Sequence, residues 1–164
     1  MTGKDKIPAT PAIRVLRDKR VPFSPHPYDY EEHGGTAVAA RALRIDEHAV
    51  VKTIVMEDEK KNPFIVLMHG DRQVSTRNVA RLLGLRSVRT CDPKDASRHT
   101  GYLVGGTSPF GTKKNLPVYI EETILGLPSI YINGGKKGLL VEIKPQALTD
   151  ILKPTVVNVA VAGA

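Results

Sequence analysis

The sequence predicts an α/β protein in which helices surround a mixed or antiparallel curved β-sheet. Three observations carry this expectation. Apolar segments of strand length outnumber segments with helical periodicity. Several neighbouring strand segments are joined by short polar or glycine-bearing turns, as in hairpins. Regular β-α-β spacing is absent, which argues against a doubly wound parallel sheet. The 164 residues are read as one domain spanning 1–164.

The elements follow in chain order. Thr10 caps a first helix with Pro11 at its first position, and Ile13, Val15 and Leu16 form its apolar side. Pro22 ends this segment. Phe23 to Tyr30 alternates loosely, and Pro25 and Pro27 restrict it to a sheet edge. After a connection through Gly35, the Ala-rich stretch Thr36 to Leu43 reads as a helix capped by Thr36. Val50 to Met56 and Pro63 to His69 form a hairpin about the polar turn Asp58 to Lys61, with Ile54 and Val66 filling its inner face. Ser75 to Leu83 is amphipathic, with Val79, Leu82 and Leu83 inward and Gly84 as the C-cap. Ser87 to Thr90 is a short strand, and Asp92-Pro93 opens a helical turn. Leu116 to Glu121, Ser129 to Ile132 and Leu139 to Ile143 are strands. Pro145 to Leu152 is a helix, and Thr155 to Val161 is a last strand.

Composition narrows the function classes. Apolar residues make up 41% and charged residues 25%, which fits a packed domain rather than a disordered chain. No apolar run approaches the roughly 20 residues of a membrane span. The polar lead Met1 to Lys6 has no secretory h-region, so a cytoplasmic location is expected. The only cysteine, Cys91, can form neither an internal disulfide nor a thiolate metal site. The histidines (His26, His33, His48, His69, His99) lack HExxH spacing, so no metal site is expected, and they read as surface or supporting residues. A formal charge of +7 points to an anionic partner, most naturally a nucleic acid.

Two glycine-rich segments stand out. Gly101-Tyr-Leu-Val-Gly-Gly-Thr-Ser-Pro-Phe-Gly111 has four glycines in eleven residues, followed by Lys113 and Lys114. It lacks the endings of a Walker loop and of a dinucleotide fingerprint. Its backbone amides suit an anion or a developing oxyanion. Asn133-Gly-Gly-Lys-Lys-Gly138 is the second such turn, with Lys136 and Lys137. Read singly, each could be a plain structural turn. Together they suggest a shared anionic pocket. Lys52 is the odd residue in the apolar strand Val50 to Met56. Alternation puts it on one face with Ile54 and Met56, where it either meets solvent or opens onto a pocket.

Three ordered motifs give the chain a resemblance to a known family. They are Val51-Lys52-Thr53, Thr100 to Gly111, and Ile130 to Gly138. Over roughly Thr10 to Asn158 the sequence resembles the YbaK family, free-standing relatives of the editing domain inserted in bacterial prolyl-tRNA synthetases. The resemblance implies a mixed, barrel-like sheet surrounded by helices. It implies trans-editing hydrolysis of mischarged aminoacyl-tRNA, commonly the proline tRNA, with no metal and no organic cofactor. A synthetase is a further partner it admits.

By the same resemblance Lys52 matches the family's essential lysine, and Gly105, Gly106 and Ser108 match the loop around the scissile ester. Thr107, Asn133 and Gly134 fall in the expected substrate pocket, and Lys113, Lys114, Lys136 and Lys137 are expected to meet tRNA phosphates. The chain departs from the cysteine-clearing members at three places. Gly34 and Gly35 stand where an aromatic residue is usual, Asn133 in place of a serine, and Leu140 in place of an aspartate. Tyr28 or Tyr30 could supply the missing ring. The alternative function is a non-catalytic module that binds a nucleotide or a tRNA end. Lys52 and the intact central loop favour catalysis. A purely structural protein would leave the paired glycine loops without a role.

Overall fold

In the computed structural model, which describes residues 7–163, ten strands and five α-helices alternate irregularly along the chain. The helices are α1 (Pro11–Asp18), α2 (Gly35–Leu43), α3 (Thr76–Leu83), α4 (Pro93–Thr100) and α5 (Pro145–Leu152). The strands are β1 (Ser24–Pro27), β2 (Val50–Asp58), β3 (Pro63–His69), β4 (Arg72–Val74), β5 (Val88–Thr90), β6 (Val118–Glu121), β7 (Ile130–Asn133), β8 (Leu139–Ile143), β9 (Thr155–Val157) and β10 (Ala160–Ala162).

Seven strands run in the order β1-β8-β7-β2-β3-β6-β9, and β5 joins as a second neighbour of β2. The β2–β3 and β7–β8 pairs are antiparallel hairpins, whereas β2–β7, β3–β6 and β6–β9 are parallel. The sheet is therefore mixed, with helices around it, as expected. β1 takes the edge that its prolines require.

Alternation along the central hairpin fills both faces. Val51, Val55, Ile65 and Leu67 face the main core with Ile13 and Leu16 of α1, Ala96 of α4 and Leu148 of α5. Met56, Val66 and Met68 face a second core closed by Val79 of α3. Val50 meets Ala39 and Ala40 of α2 and Leu140 of β8 in a third. Lys52 lies between the second and third clusters, on the outer face of β2.

Local chemistry accounts for most of the helix ends. Thr10 and Ser75 accept hydrogen bonds from the amides of Ile13 and Asn78, and Gly84 closes α3 in the left-handed region at φ 67°.

Five expectations need correction. The α2 N-cap is Gly34, because the Thr36 hydroxyl is drawn away to the Glu47 carboxylate at 2.7 Å. Leu82 is 58% exposed, since α3 turns only Val79 fully inward, with Leu83 half-covered. His69 and His99 are buried rather than superficial, each with its ring nitrogen hydrogen-bonded. The last strand is two strands: β9 continues the main sheet, while β10 pairs with β4, a strand that the sequence pattern does not announce. The turn after Asp92 extends into the full helix α4. The lead Met1 to Lys6 lies outside the described residues.

Candidate active site

A gap in the sheet defines the site. On the edge of β2 opposite β3, Val50 and Val51 pair with β7, and Met56 to Asp58 pair with β5. Between them, Lys52, Thr53 and Ile54 have no strand partner on that edge. The Val50 carbonyl accepts from Gly70 on the β3 side, and the Val55 carbonyl accepts from Cys91 on the other. Backbone groups alternate in direction along a strand, so the amide and carbonyl of Thr53 point into the gap.

A cavity of about 710 Å³ wraps this free edge. Its walls include Lys52 and Thr53 of β2, Tyr28 and Tyr30 after β1, Ala39 of α2, and Leu140 of β8. Val104, Gly105 and Thr107 of the first glycine loop and Asn133 of the second close it, with Cys91 and Ala96 on the far side.

Lys52 is half-buried, and its Nζ donates to the Arg72 carbonyl at 2.5 Å. Burial lowers its pKa, while the carboxylates of Glu47 and Asp71 partly offset this. Beside it, the buried Thr53 Oγ1 has no hydrogen-bond partner among the described residues. An unmet buried hydroxyl is costly, and here it borders a cavity large enough to hold a polar ligand group.

The two glycine loops form one wall. Asn133 Oδ1 accepts from the amides of Gly135 and Lys136, and its Nδ2 donates to the Gly105 carbonyl at 3.2 Å. A Cβ on Gly106 would lie 2.7 Å from the Lys137 nitrogen, and one on Gly105 would lie 2.3 Å from the Tyr30 hydroxyl. Glycine is therefore required for the loops and the tyrosine to close together. Leu103 and Val104 form the lip, 68% and 50% exposed.

The residues singled out by sequence divide into three groups. Lys52, Tyr28, Tyr30, Gly35, Gly105, Thr107, Asn133 and Leu140 line the cavity. Gly34, Gly106, Ser108 and Gly134 lie behind its wall. Ser108 is fully buried, with its Oγ accepting from the Phe110 amide, so it shapes the loop from within. The four lysines stand outside the cavity and are unequal. Lys114 donates to His99 Nδ1 at 2.8 Å, and Lys137 pairs with Glu32 at 3.0 Å over the Tyr30 ring. Lys113 and Lys136 are exposed and make no ion pair among the described residues. Sequence reasoning missed Thr53 and Cys91 as cavity residues. The gap that exposes them is created by two distant strands, so no local signal could reveal it.

The site holds no ready protein nucleophile. The Cys91 thiol, buried and hydrogen-bonded to Glu57, is pushed up to about 12 and stays protonated. His48, His69 and Asp71 form the one cluster of metal-ligand type among the described residues. It does not suit a metal. His69 spends both ring nitrogens on the His48 carbonyl and the Thr123 hydroxyl. The two rings also stack 3.8 Å apart at 6°, and an ion cannot lie in both of two parallel ring planes.

The arrangement thus offers a half-buried cation, an unmet hydroxyl, an unpaired strand edge and a glycine-built wall around an apolar hollow. Known proteins resemble this chain in sequence and in fold. A relative in Enterococcus faecalis, called "Putative Cys-tRNA(Pro)/Cys-tRNA(Cys) deacylase EbsC", is 28% identical over 92% of this chain and 93% of its own. The proline–tRNA ligase of Limosilactobacillus fermentum is 24% identical over 61% of this chain but only 18% of its own length. The crystal structure of "a putative trans-editing enzyme for prolyl tRNA synthetase" superposes with a TM-score of 0.80 at 23% identity, covering 95% of this chain and all of that one. The crystal structure of the hypothetical protein APE2540 gives 0.83 at 22% identity, covering 92% and 99%. The model of the aminoacyl-tRNA editing domain matches residues 31–151, which include every cavity residue named above except Tyr28 and Tyr30. The chain belongs to the aminoacyl-tRNA editing domain family.

Proposed function

We propose that this chain hydrolyses the ester of mischarged aminoacyl-tRNA in trans, with the proline tRNA as its substrate, and releases a small apolar amino acid. The observation that carries the reading is Lys52, a half-buried ammonium at the gap along the β2 edge, inside the cavity of a domain of this family. Its charge suits the terminal nucleotide and the oxyanion that develops at the ester carbonyl. The Gly105 segment, drawn against Tyr30 and the second glycine turn, offers backbone to the other side of that group. With Cys91 protonated and Ser108 buried, water is the nucleophile. Thr53 is suitably placed to orient water or the amino acid. Lys113 and Lys136, exposed and without an ion pair among the described residues, are assigned to phosphates of the acceptor end.

The amino-acid end of the cavity is apolar. Leu140 packs with Ala39, Ala40 and Val50, and Tyr28 supplies the ring that Gly34 and Gly35 do not. Glu32, the carboxylate in the cavity lining, is paired with Lys137. Such a pocket separates ligands by one methylene at only about 1–3 kcal/mol, so a broad preference for small apolar residues is expected. The test is a panel of proline tRNA charged with alanine, cysteine, serine and a branched amino acid, at equal enzyme concentration. Alanine should be cleared faster than cysteine. A cysteine rate more than tenfold above every other would refute the assignment of an apolar pocket, and no hydrolysis of any ester would refute the deacylase reading.

A further inference from the structure

A lysine side chain has four rotatable methylenes and does not fix its own ammonium. Among the described residues the only protein acceptor for Lys52 Nζ is the Arg72 carbonyl, at the start of β4. That carbonyl follows the short turn Gly70-Asp71 leaving β3, and the turn lies outside the main core. Polar contacts fasten it instead, from Thr36 of α2, from Val50 of β2 and from the three-residue 3-10 turn Glu47–Ala49.

The contacts interlock. The Thr36 hydroxyl lies 2.7 Å from Glu47 Oε2 and 3.2 Å from the Gly70 carbonyl. His48 Nδ1 meets Asp71 Oδ1 at 2.8 Å, and the His48 carbonyl accepts from His69 Nδ1 at 2.7 Å. The His48 and His69 rings stack. Gly70 donates to the Val50 carbonyl at 2.6 Å. A Cβ on Gly70 would lie 2.7 Å from Thr36 Oγ1 and 2.8 Å from the Glu47 carbonyl, so the two turns are seated tightly. The same clamp brings Glu47 and Asp71 close enough to act on the Lys52 charge.

We propose that Glu47, His48 and Asp71 are the positioning residues of this site, clamping the turn whose Arg72 carbonyl receives the Lys52 ammonium. The proposal rests on the assignment of Lys52 to catalysis. Arg72 sits on the same turn, but its guanidinium is turned to Asp71, with Nη1 3.1 Å from Oδ2. From the cavity side, Tyr28, Tyr30, Glu32, His33 and Cys91 are the other ionisable groups. Glu32 is already paired with Lys137. Glu47, and Asp71 although it is shared with Arg72 and His48, are the carboxylates that act on the Lys52 charge.

Two readouts separate positioning from a merely structural role. In the first, the titration of Lys52 is followed by NMR of lysine labelled at its ε-carbon, with the signal assigned by its loss in Lys52→Arg. Glu47→Gln and Asp71→Asn should each lower the Lys52 midpoint, and Glu47→Asp should restore it. In the second, deacylation is measured against pH. The alkaline limb should move down with the NMR midpoint in the same variants. His48→Ala, which frees the turn, should reduce kcat roughly tenfold with little change in KM, as expected for a misplaced group. Unchanged midpoints in both carboxylate variants would overturn the proposal while leaving Lys52 catalytic. A Lys52→Ala variant as active as wild type would overturn the catalytic assignment, and the proposal with it.

Discussion

One wall of the cavity is a strand edge, and the wall facing it is a pair of glycine turns. Along β2 the groups on offer are side chains, Lys52 and Thr53, carried by a strand that is paired with β3 from Val51 to Glu57. Across the cavity, the groups on offer are backbone, and the side chains that matter are the ones missing at Gly105 and Gly106. A site on the first wall fails when a side chain is changed. A site on the second fails when one is added. The two walls also spend stability differently. β2 buries a charge and leaves a hydroxyl unmet, whereas the glycine loops satisfy their polar groups through Asn133 and pay in backbone freedom.

The sharpest way to break the first wall is at Lys52. Lys52→Ala should cut deacylation at least tenfold, about 1.4 kcal/mol or more of transition-state stabilisation, measured under single turnover. Lys52→Met should be as inactive, yet at least as stable as wild type. The sign follows from linkage. The folded pKa of Lys52 lies below its ordinary 10.5, so the unfolded chain binds the proton more tightly. Burial of the ammonium then costs stability at neutral pH, and the cost is relieved only as pH rises from the folded value toward the unfolded one. Methionine keeps the methylene packing without the charge. Thermal melts at pH 7 should show no loss, and a Tm well below wild type would mean that the Arg72 hydrogen bond outweighs desolvation.

The second wall should break with a single methyl. Gly106→Ala places its Cβ against the backbone of Lys136 and Lys137, which cannot rotate aside. The two turns must part, with a cost of about 1–3 kcal/mol for overpacking and roughly a tenfold loss of activity as the Gly105 backbone moves. Activity falling together with stability marks this wall. On the β2 wall the two should separate, and a Gly106→Ala variant with normal Tm and rate would erase the distinction.

Much of this architecture was legible from residue pattern. The β2–β3 hairpin, α1 and α3 declared themselves through periodicity and caps, because their signals are local. Lys52 stood out as the one charge in an apolar run. Other features depended on distant chain. Thr36 has the chemistry of a helix cap, but Glu47, eleven residues on, competes for its hydroxyl. β4 is three residues long and exists because β10 comes back to it. The gap beside Thr53 arises because β7 and β5 reach β2 at opposite ends. A threonine in a strand is otherwise unremarkable, since β-branched residues suit strands.

Thr53 gives the finest test of the comparison. Its Oγ1 is buried and unmet, so the folded protein carries the desolvation cost of a hydroxyl without a hydrogen bond in return. Thr53→Val keeps the branched shape and the strand preference and removes the hydroxyl. If the group is held ready for a ligand, the variant should gain about 1 kcal/mol of stability, read by urea unfolding, and lose deacylation severalfold. The opposed signs are the informative part. A role in packing alone would leave activity at the wild-type level, because the valine methyl fills the same space. Thr53→Ser supplies the control: it restores the hydroxyl but leaves a methyl-sized void, so activity should return in part while stability falls. If Thr53→Val were both more stable and fully active, the unmet hydroxyl would have no part in hydrolysis, and the chemistry of the β2 wall would rest on Lys52 and the unpaired backbone edge alone.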